Sequence, residues 1–293
     1  MATTTQIRTS STVRRRAFSA SKLLDWAAIV LLGLGAIVMI LPFLWMFSTS
    51  LRPAAESYKL PPAWLPTDWR FENYAAVFSS SVPIVAFALN SIKVTFFVTL
   101  GQLITCSMAG FAFARLRFPG RNLLFVLLLA SLMVPGQVTI IPIFIIMRRL
   151  GLVDSHLALI LPGLTSAFGV FLLRQFFLTL PQDLLDAAKI DGAGPWTAYL
   201  RIAIPLAGPS LAALTIITFN GTWNNFFNPY IFINTWERMT LPLGITALRG
   251  YLGSGNASVV MAAVALAILP VLVIFLLAQR WFITGVTRTG LKG

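Results

Sequence analysis

PQDLLDAAKIDGAGPWTAYLRIAIP, residues 181–205, reads as two short helices joined by a tight turn. Pro181 can open the first helix at its N1 position. Gln182 and Asp183 then lie in the first turn, where the helix dipole favours negative charge. Leu184, Leu185 and Ala188 form an apolar stripe. Asp191 and Gly192 stop the helix, because glycine adopts the left-handed conformation that follows a helix end at little cost. Pro195 opens a second helix, and Pro205 starts the apolar run beyond it. The small side chains of Ala187, Ala188, Gly192 and Ala193 allow another backbone to approach closely. A short, knob-like helix of this kind suits docking in a partner's groove. Spacing alone serves an ordinary interfacial hairpin equally well.

The chain on both sides of this hairpin is apolar. Six windows contain no Asp, Glu, Lys or Arg: residues 26–51, 94–114, 122–147, 157–173, 202–236 and 250–279. A membrane-spanning helix needs about 20 mostly apolar residues. Only 11% of the 293 residues are charged and 57% are hydrophobic, whereas a soluble domain carries about 25% charge. The fold expected is therefore an all-α membrane protein with six transmembrane helices, near 24–48, 86–113, 122–146, 156–174, 204–227 and 256–282. Pro135 and Gly136 are expected to kink or interrupt the third. Residues 1–22 read as a cytoplasmic N-terminal tail, too Ser-, Thr- and Arg-rich to order itself. They do not read as a signal peptide, since the following span is too long for one and ends without a small-residue cleavage site. Residues 23–283 are expected to form the six-helix transmembrane bundle, and 284–293 a cytoplasmic C-terminal tail. No separate soluble domain and no internal repeat stand out.

The net charge of +13 does not point to nucleic acid, because the basic residues are spread between apolar spans and not gathered on one face. With both termini in the cytoplasm, 14 of the 22 Lys and Arg residues fall on the inner side and 7 on the outer side, with Lys93 near an interface. This is the bias that the positive-inside rule requires. Arg148 and Arg149 run against it. Cys106 and His156 are the sole residues of their types, so neither a disulfide nor a thiolate or His-rich metal site is expected. The chain has no phosphate-cradling Gly-x-x-x-x-Gly-Lys-Ser/Thr loop. It has no base and nucleophile pair or paired carboxylates for intramembrane hydrolysis either.

Residues 186–193 resemble the EAA coupling motif of ABC importer permeases. Asp186 stands where that family usually has Glu, followed by Ala187, Ala188, Asp191, Gly192 and Ala193. The substitution shortens the side chain by one methylene and keeps its charge. The resemblance extends over nearly the whole chain and is closest to the maltose-type smaller permeases of the carbohydrate branch. It is carried by Pro61-Pro62-Ala63-Trp64-Leu65-Pro66, Asn73-Tyr74, Asn90-Ser91, Val134-Pro135-Gly136, Ile141-Pro142 and the stretch from Phe219 to Pro229. The ending from Gln279 through Gly285-Val286-Thr287-Arg288 to Lys292-Gly293 is also similar. The resemblance implies a type I importer permease of the bacterial inner membrane that binds no cofactor itself. ATP and magnesium would belong to two partner ATPase subunits docked on the 181–193 helix. A second homologous permease would complete the pathway, and an extracytoplasmic sugar-binding protein would deliver the solute.

A sugar path needs groups that match hydroxyls and aromatic faces that stack on pyranose rings. The densest candidates are Asn220, Trp223, Asn224, Asn225 and Phe226, with Thr222, Phe227 and Asn228 beside them. Asn90, Ser91, Gln102 and Thr105 lie on the second helix. Asn and Thr also glue helices together, and aromatic residues also mark membrane interfaces. The alternative function is a stand-alone secondary transporter or channel. Against it, no Asp, Glu, Lys or Arg lies inside the windows for proton coupling, and no internal repeat supports a monomeric carrier.

Overall fold

The computed structural model describes residues 17–59, 64–250 and 255–289. Apart from turns and connections they are helical, and no strand occurs among them. Helix α1 spans Ala17–Ser50, so residues 17–22, expected in a disordered tail, are helical. The last helix, α14, spans Ala257–Thr289 and likewise continues past the expected start of the C-terminal tail. Residues 1–16, the Pro61-Pro62-Ala63 signature and the final residues 290–293 lie outside the described residues.

Four stretches are long and apolar enough to cross a bilayer: Leu24–Ser50, Ile84–Arg115, Leu157–Thr179 and Ala257–Leu277. Two more spans result if each bent pair counts as one. The first pair is α4 (Arg121–Ser131) with α5 (Gly136–Arg149), bent by 103°. At about 1.5 Å per residue neither member alone reaches the ~30 Å of a hydrocarbon core. The bend falls at Val134-Pro135-Gly136. Pro135 disfavours helix at the residue before it, so the expected interruption is a full break. The second pair is Pro195–Leu206 with α11 (Gly208–Trp223), bent by 76°. Its first half comprises α9 (Pro195–Ala198), a π-helical turn over Tyr199–Ala203, and α10 (Ile204–Leu206). The widened turn precedes Pro205, whose ring would collide with the Arg201 carbonyl in a regular helix.

Helix α3 (Ile84–Arg115) runs through both main cores. At one end, Ile84 and Phe87 pack with Val77 of α2 (Glu72–Ser79), with Trp223, with Leu241 and Ile245 of α13 (Leu241–Ile245), and with Ala262 and Ala263 of α14. At the other, Cys106 and Phe111 pack with Val170, Leu173 and Phe177 of α7 (Ala167–Thr179), and with Tyr199 and Leu214. The α3–α7 approach is close. A Cβ on Gly110 would lie 2.9 Å from the Arg174 backbone nitrogen, so only glycine fits. Helix α6 (Leu157–Gly163) precedes α7 and is separated from it by a short break. Lys93, expected near an interface, lies nine residues inside α3.

The segment that follows α1 closes on its end. Asn73 donates through Nδ2 to the carbonyls of Ser50 and Arg52, both at 2.9 Å. The hydroxyls of Tyr74 and Ser50 are 2.8 Å apart, which gives Asn73-Tyr74 a structural reason. Arg148 and Arg149 occupy the last turn of α5, where a helix dipole favours cations. Leu31, Leu32, Val38 and Met39 of α1 and Leu123, Met133 and Ile141 of the α4–α5 pair are among the uncovered apolar residues. Lipid or partner helices must cover them.

Candidate functional site

The 181–193 helix is α8 (Gln182–Ile190), with Pro181 as its N-cap residue and not its first helical one. Its end is a Schellman turn. The Ala193 N–H donates to the Ala188 carbonyl at 2.8 Å and the Gly192 N–H to that of Lys189 at 3.1 Å. Gly192 has φ +81°. No residue of α8 is buried. Asp186, Ala187, Asp191 and Gly192 are exposed and Ala188 and Ala193 half-buried. Ile190 is 87% exposed and Trp196, at the start of the second helix, 58%. Isolated in water, these apolar groups would be a liability.

The second arm of the hairpin is anchored. The Ser107 hydroxyl donates to the Leu103 and Ile104 carbonyls of its own helix, so Tyr199 donates its O–H to Ser107 across 2.7 Å.

A cavity of about 510 Å³ lies between α3, the broken α4–α5 pair, α6 and the end of α11. Its polar lining is Gln102, Gln137, Thr139, Thr222, Asn225 and Asn228. Gln102 donates to the Gly163 carbonyl at 2.9 Å and accepts from the Thr218 hydroxyl at 2.8 Å. Asn225 accepts from the Asn228 N–H at 3.0 Å. The Pro135-Gly136 break matters here, because it starts α5 at the cavity wall and brings Gln137 and Thr139 into it. Those two were missed from the sequence. Their position immediately after a helix break was the available signal, since broken helices in membranes line cavities.

The structure sorts the sequence candidates into three groups. Asn225 lines the cavity. Trp223 does not offer its ring to a solute and is corrected to a core residue. It is 2% exposed, lies parallel to Phe219 with ring centroids 5.7 Å apart, and donates through Nε1 to the Ala267 carbonyl at 2.9 Å. Asn90 is also committed within the protein, donating through Nδ2 to the Glu237 and Met239 carbonyls at 2.8 and 2.9 Å. Asn220 and Asn224 pair with each other at 2.8 Å on an exposed face outside this cavity. Phe226 stacks on Tyr230 at 5.6 Å.

Asp154 clasps the turn before α6 to the loop after α12 (Phe227–Phe232). Its Oδ1 accepts from the N–H groups of Asn234 and Thr235 at 2.9 and 2.8 Å. Its Oδ2 accepts from the Thr235 hydroxyl and, at 3.2 Å, from Arg238. Asp154 has φ 62°. The hydrogen bonds from Thr235 lower its carboxyl to about 2. A depressed carboxyl stabilises the clasp above its unfolded value, about 4, and that stabilisation is lost as pH falls through the folded value. Amide protection factors at Asn234 and Thr235 are thus expected to hold above about pH 4 and collapse between there and about pH 2. Asp154→Asn keeps a residue suited to the left-handed conformation and should abolish that step. A pH step of the same size in the variant would refute the assignment.

The chain matches the family described as binding-protein-dependent transport system inner membrane component over residues 106–288. It is 33% identical over 275 residues to the arabinooligosaccharides transport system permease protein of Halalkalibacterium halodurans, covering 93% of this chain and 98% of that one. The counterpart of the same name in Bacillus subtilis is 36% identical over 260 residues, with 88% and 92% covered. The sn-glycerol-3-phosphate transport system permease protein of Yersinia pestis is 34% identical over 268 residues, with 89% and 95% covered. A crystal structure of a bacterial ABC transporter involved in alginate import contains a chain of the same fold, with a TM-score of 0.79 at 24% identity over 90% of this chain and 98% of that chain. The family match starts inside α3 and runs into α14, and the relatives align along nearly the full length. The chain therefore belongs to the binding-protein-dependent transport system inner membrane components, and is a transport subunit and not an enzyme.

Proposed function

We propose that this chain forms half of the translocation pathway of an ABC importer for a sugar or sugar-like solute, and that α8 couples it to separate ATPase subunits. The observation that carries the coupling role is the uncovered α8–α9 knob: a rigid, Schellman-terminated helix with Leu184, Ile190 and Trp196 exposed. Such a surface fits a groove in another protein. A stand-alone carrier would have no use for it.

In this account six spans place both termini in the cytoplasm of a bacterial inner membrane. A second homologous permease covers the exposed apolar faces. Two ATPase subunits, which hold ATP and magnesium, sit beneath, and an extracytoplasmic binding protein delivers the solute. Closure of the ATPases moves α8, and the bundle alternates between inward- and outward-open forms. Asn220, Asn224 and Phe226 face the path between the two permeases, the two amides because polar groups in a membrane seek protein or water and not lipid.

The carbohydrate class is supported by two observations. The relatives are named for arabinooligosaccharides and sn-glycerol-3-phosphate, both polyhydroxylated. The cavity presents amides and hydroxyls, the groups that pair with sugar hydroxyls. Asn225→Leu is expected to raise the half-saturation concentration for uptake about tenfold, the scale of one or two lost hydrogen bonds, with normal assembly. Uptake of arabinotriose and of glycerol-3-phosphate by the reconstituted importer checks this. An unchanged concentration dependence would remove Asn225 from the path.

A further inference from the structure

Arg115, the last residue of α3, holds three elements at once. Its Nε donates to the Phe177 carbonyl at 2.9 Å, and a terminal nitrogen donates to the carbonyls of Leu178 and Leu180. The end of α7 leaves the Leu178 carbonyl without an intrahelical partner, the Phe177 carbonyl also accepts from the Leu180 N–H at 3.4 Å, and Leu180 is the residue just past the helix. The other terminal nitrogen donates to Oε1 of Gln182 at 2.8 Å, the first residue of α8. Gln182 in turn donates through Nε2 to Oδ1 of Asp186 at 3.0 Å, one turn further along α8. The planar guanidinium can serve these acceptors together, whereas a lysine ammonium is a single point.

Thirteen residues before Arg115, about 20 Å along a helix, Gln102 lines the cavity. The helix between them is locked to its neighbours. Gly110 abuts the Arg174 backbone, and a Cβ on Gly169 would lie 2.8 Å from the Cys106 sulfur. Tightly packed elements pass on a displacement and do not absorb it. The second arm of the hairpin joins the same helix through Tyr199 and Ser107.

We propose that Arg115 is a positioning residue that transmits α8 movement to the cavity, by clamping the end of α7 and Gln182 to the helix that carries Gln102. This rests on the coupling role of α8 set out above. A helix cap alone would need only the carbonyl contacts. The bond to Gln182, and through it to Asp186, connects the cap to the coupling helix.

The test uses the complete importer in proteoliposomes. Thr222→Cys places a reporter in the cavity, while Cys106 is buried and shielded from reagent. The rate of labelling by a membrane-impermeant maleimide is measured without nucleotide and after trapping with ATP and vanadate, with ATPase activity in parallel. In the parent complex trapping is expected to change the labelling rate. In Arg115→Ala and in Gln182→Ala that change is expected to shrink about tenfold, the scale of losing charge-assisted hydrogen bonds, while ATP hydrolysis continues. Gln182→Glu keeps an acceptor opposite Arg115 but loses the donor to Asp186 and sets two carboxylates one turn apart, so its response should fall between those of the parent and the alanine variant. Gln182 is exposed, so its alanine variant carries the test even if Arg115→Ala fails to assemble. A full response in Gln182→Ala overturns the proposal, whether Arg115→Ala responds normally or only loses assembly. A parent complex that ignores nucleotide would overturn the coupling role of α8 itself.

Discussion

Replacing Trp223 with alanine is expected to destabilise the bundle by about 3 kcal/mol and sharply reduce recovered protein. That is the lower end for deleting a buried aromatic, because in lipid packing and hydrogen bonding, and not transfer from water, hold helices together. The indole fills the core between α3, α11, α13 and α14. Its removal also leaves the Ala267 carbonyl without its 2.9 Å donor. Thermal unfolding in detergent should show a lower midpoint. The molecules that remain folded should bind solute with unchanged concentration dependence. A normal midpoint with weakened uptake would instead place the ring against the solute.

Gly192→Val is expected to leave ATP hydrolysis running while transport per ATP falls steeply. A Cβ at this position would meet no atom of this chain within 4 Å, so within the chain bulk alone is tolerated. The backbone decides the outcome. At φ +81° a side chain costs about 1–2 kcal/mol, and a β-branched one more, so the Schellman turn opens and α8 loses its fixed end. Gly192→Asn separates the two causes, since Asn accepts the left-handed region and fills the same space. It should stay close to the parent. Equal coupling in the valine variant would show that the turn does not transmit force. Equal damage in both variants would implicate bulk and not backbone.

Local chemistry made much of this protein legible. Charge-free windows located the four long apolar helices and the two bent pairs, Pro135-Gly136 announced the break in the first of those pairs, and Asp191-Gly192 announced the turn that ends α8. Each depends on a few neighbouring residues and on strong conformational preferences. What remained hidden depends on contacts between distant parts of the chain. Nothing near Trp223 reveals that its N–H finds the carbonyl of residue 267. Asn90 holds carbonyls about 150 residues away. Polar side chains in a membrane either bind a solute or pair with protein, and composition does not separate the two uses. Gln137 illustrates the converse. It belongs to no polar cluster in the sequence, and only the 103° bend brings it to the cavity. Arg115 likewise reads as one more cytoplasmic cation until the carbonyls of Phe177, Leu178 and Leu180 are placed around it.

Whether this chain works as an energised subunit is decided by purifying it, tagged, gently from its native membrane. Co-purifying subunits are identified by mass, and the recovered assembly is assayed in vesicles. Recovery with a second permease and an ATPase is expected, with uptake that requires ATP and rises with a binding protein and one carbohydrate. Recovery of this chain alone, or as a homo-oligomer, with transport that proceeds without ATP, would contradict the importer reading and establish a stand-alone carrier.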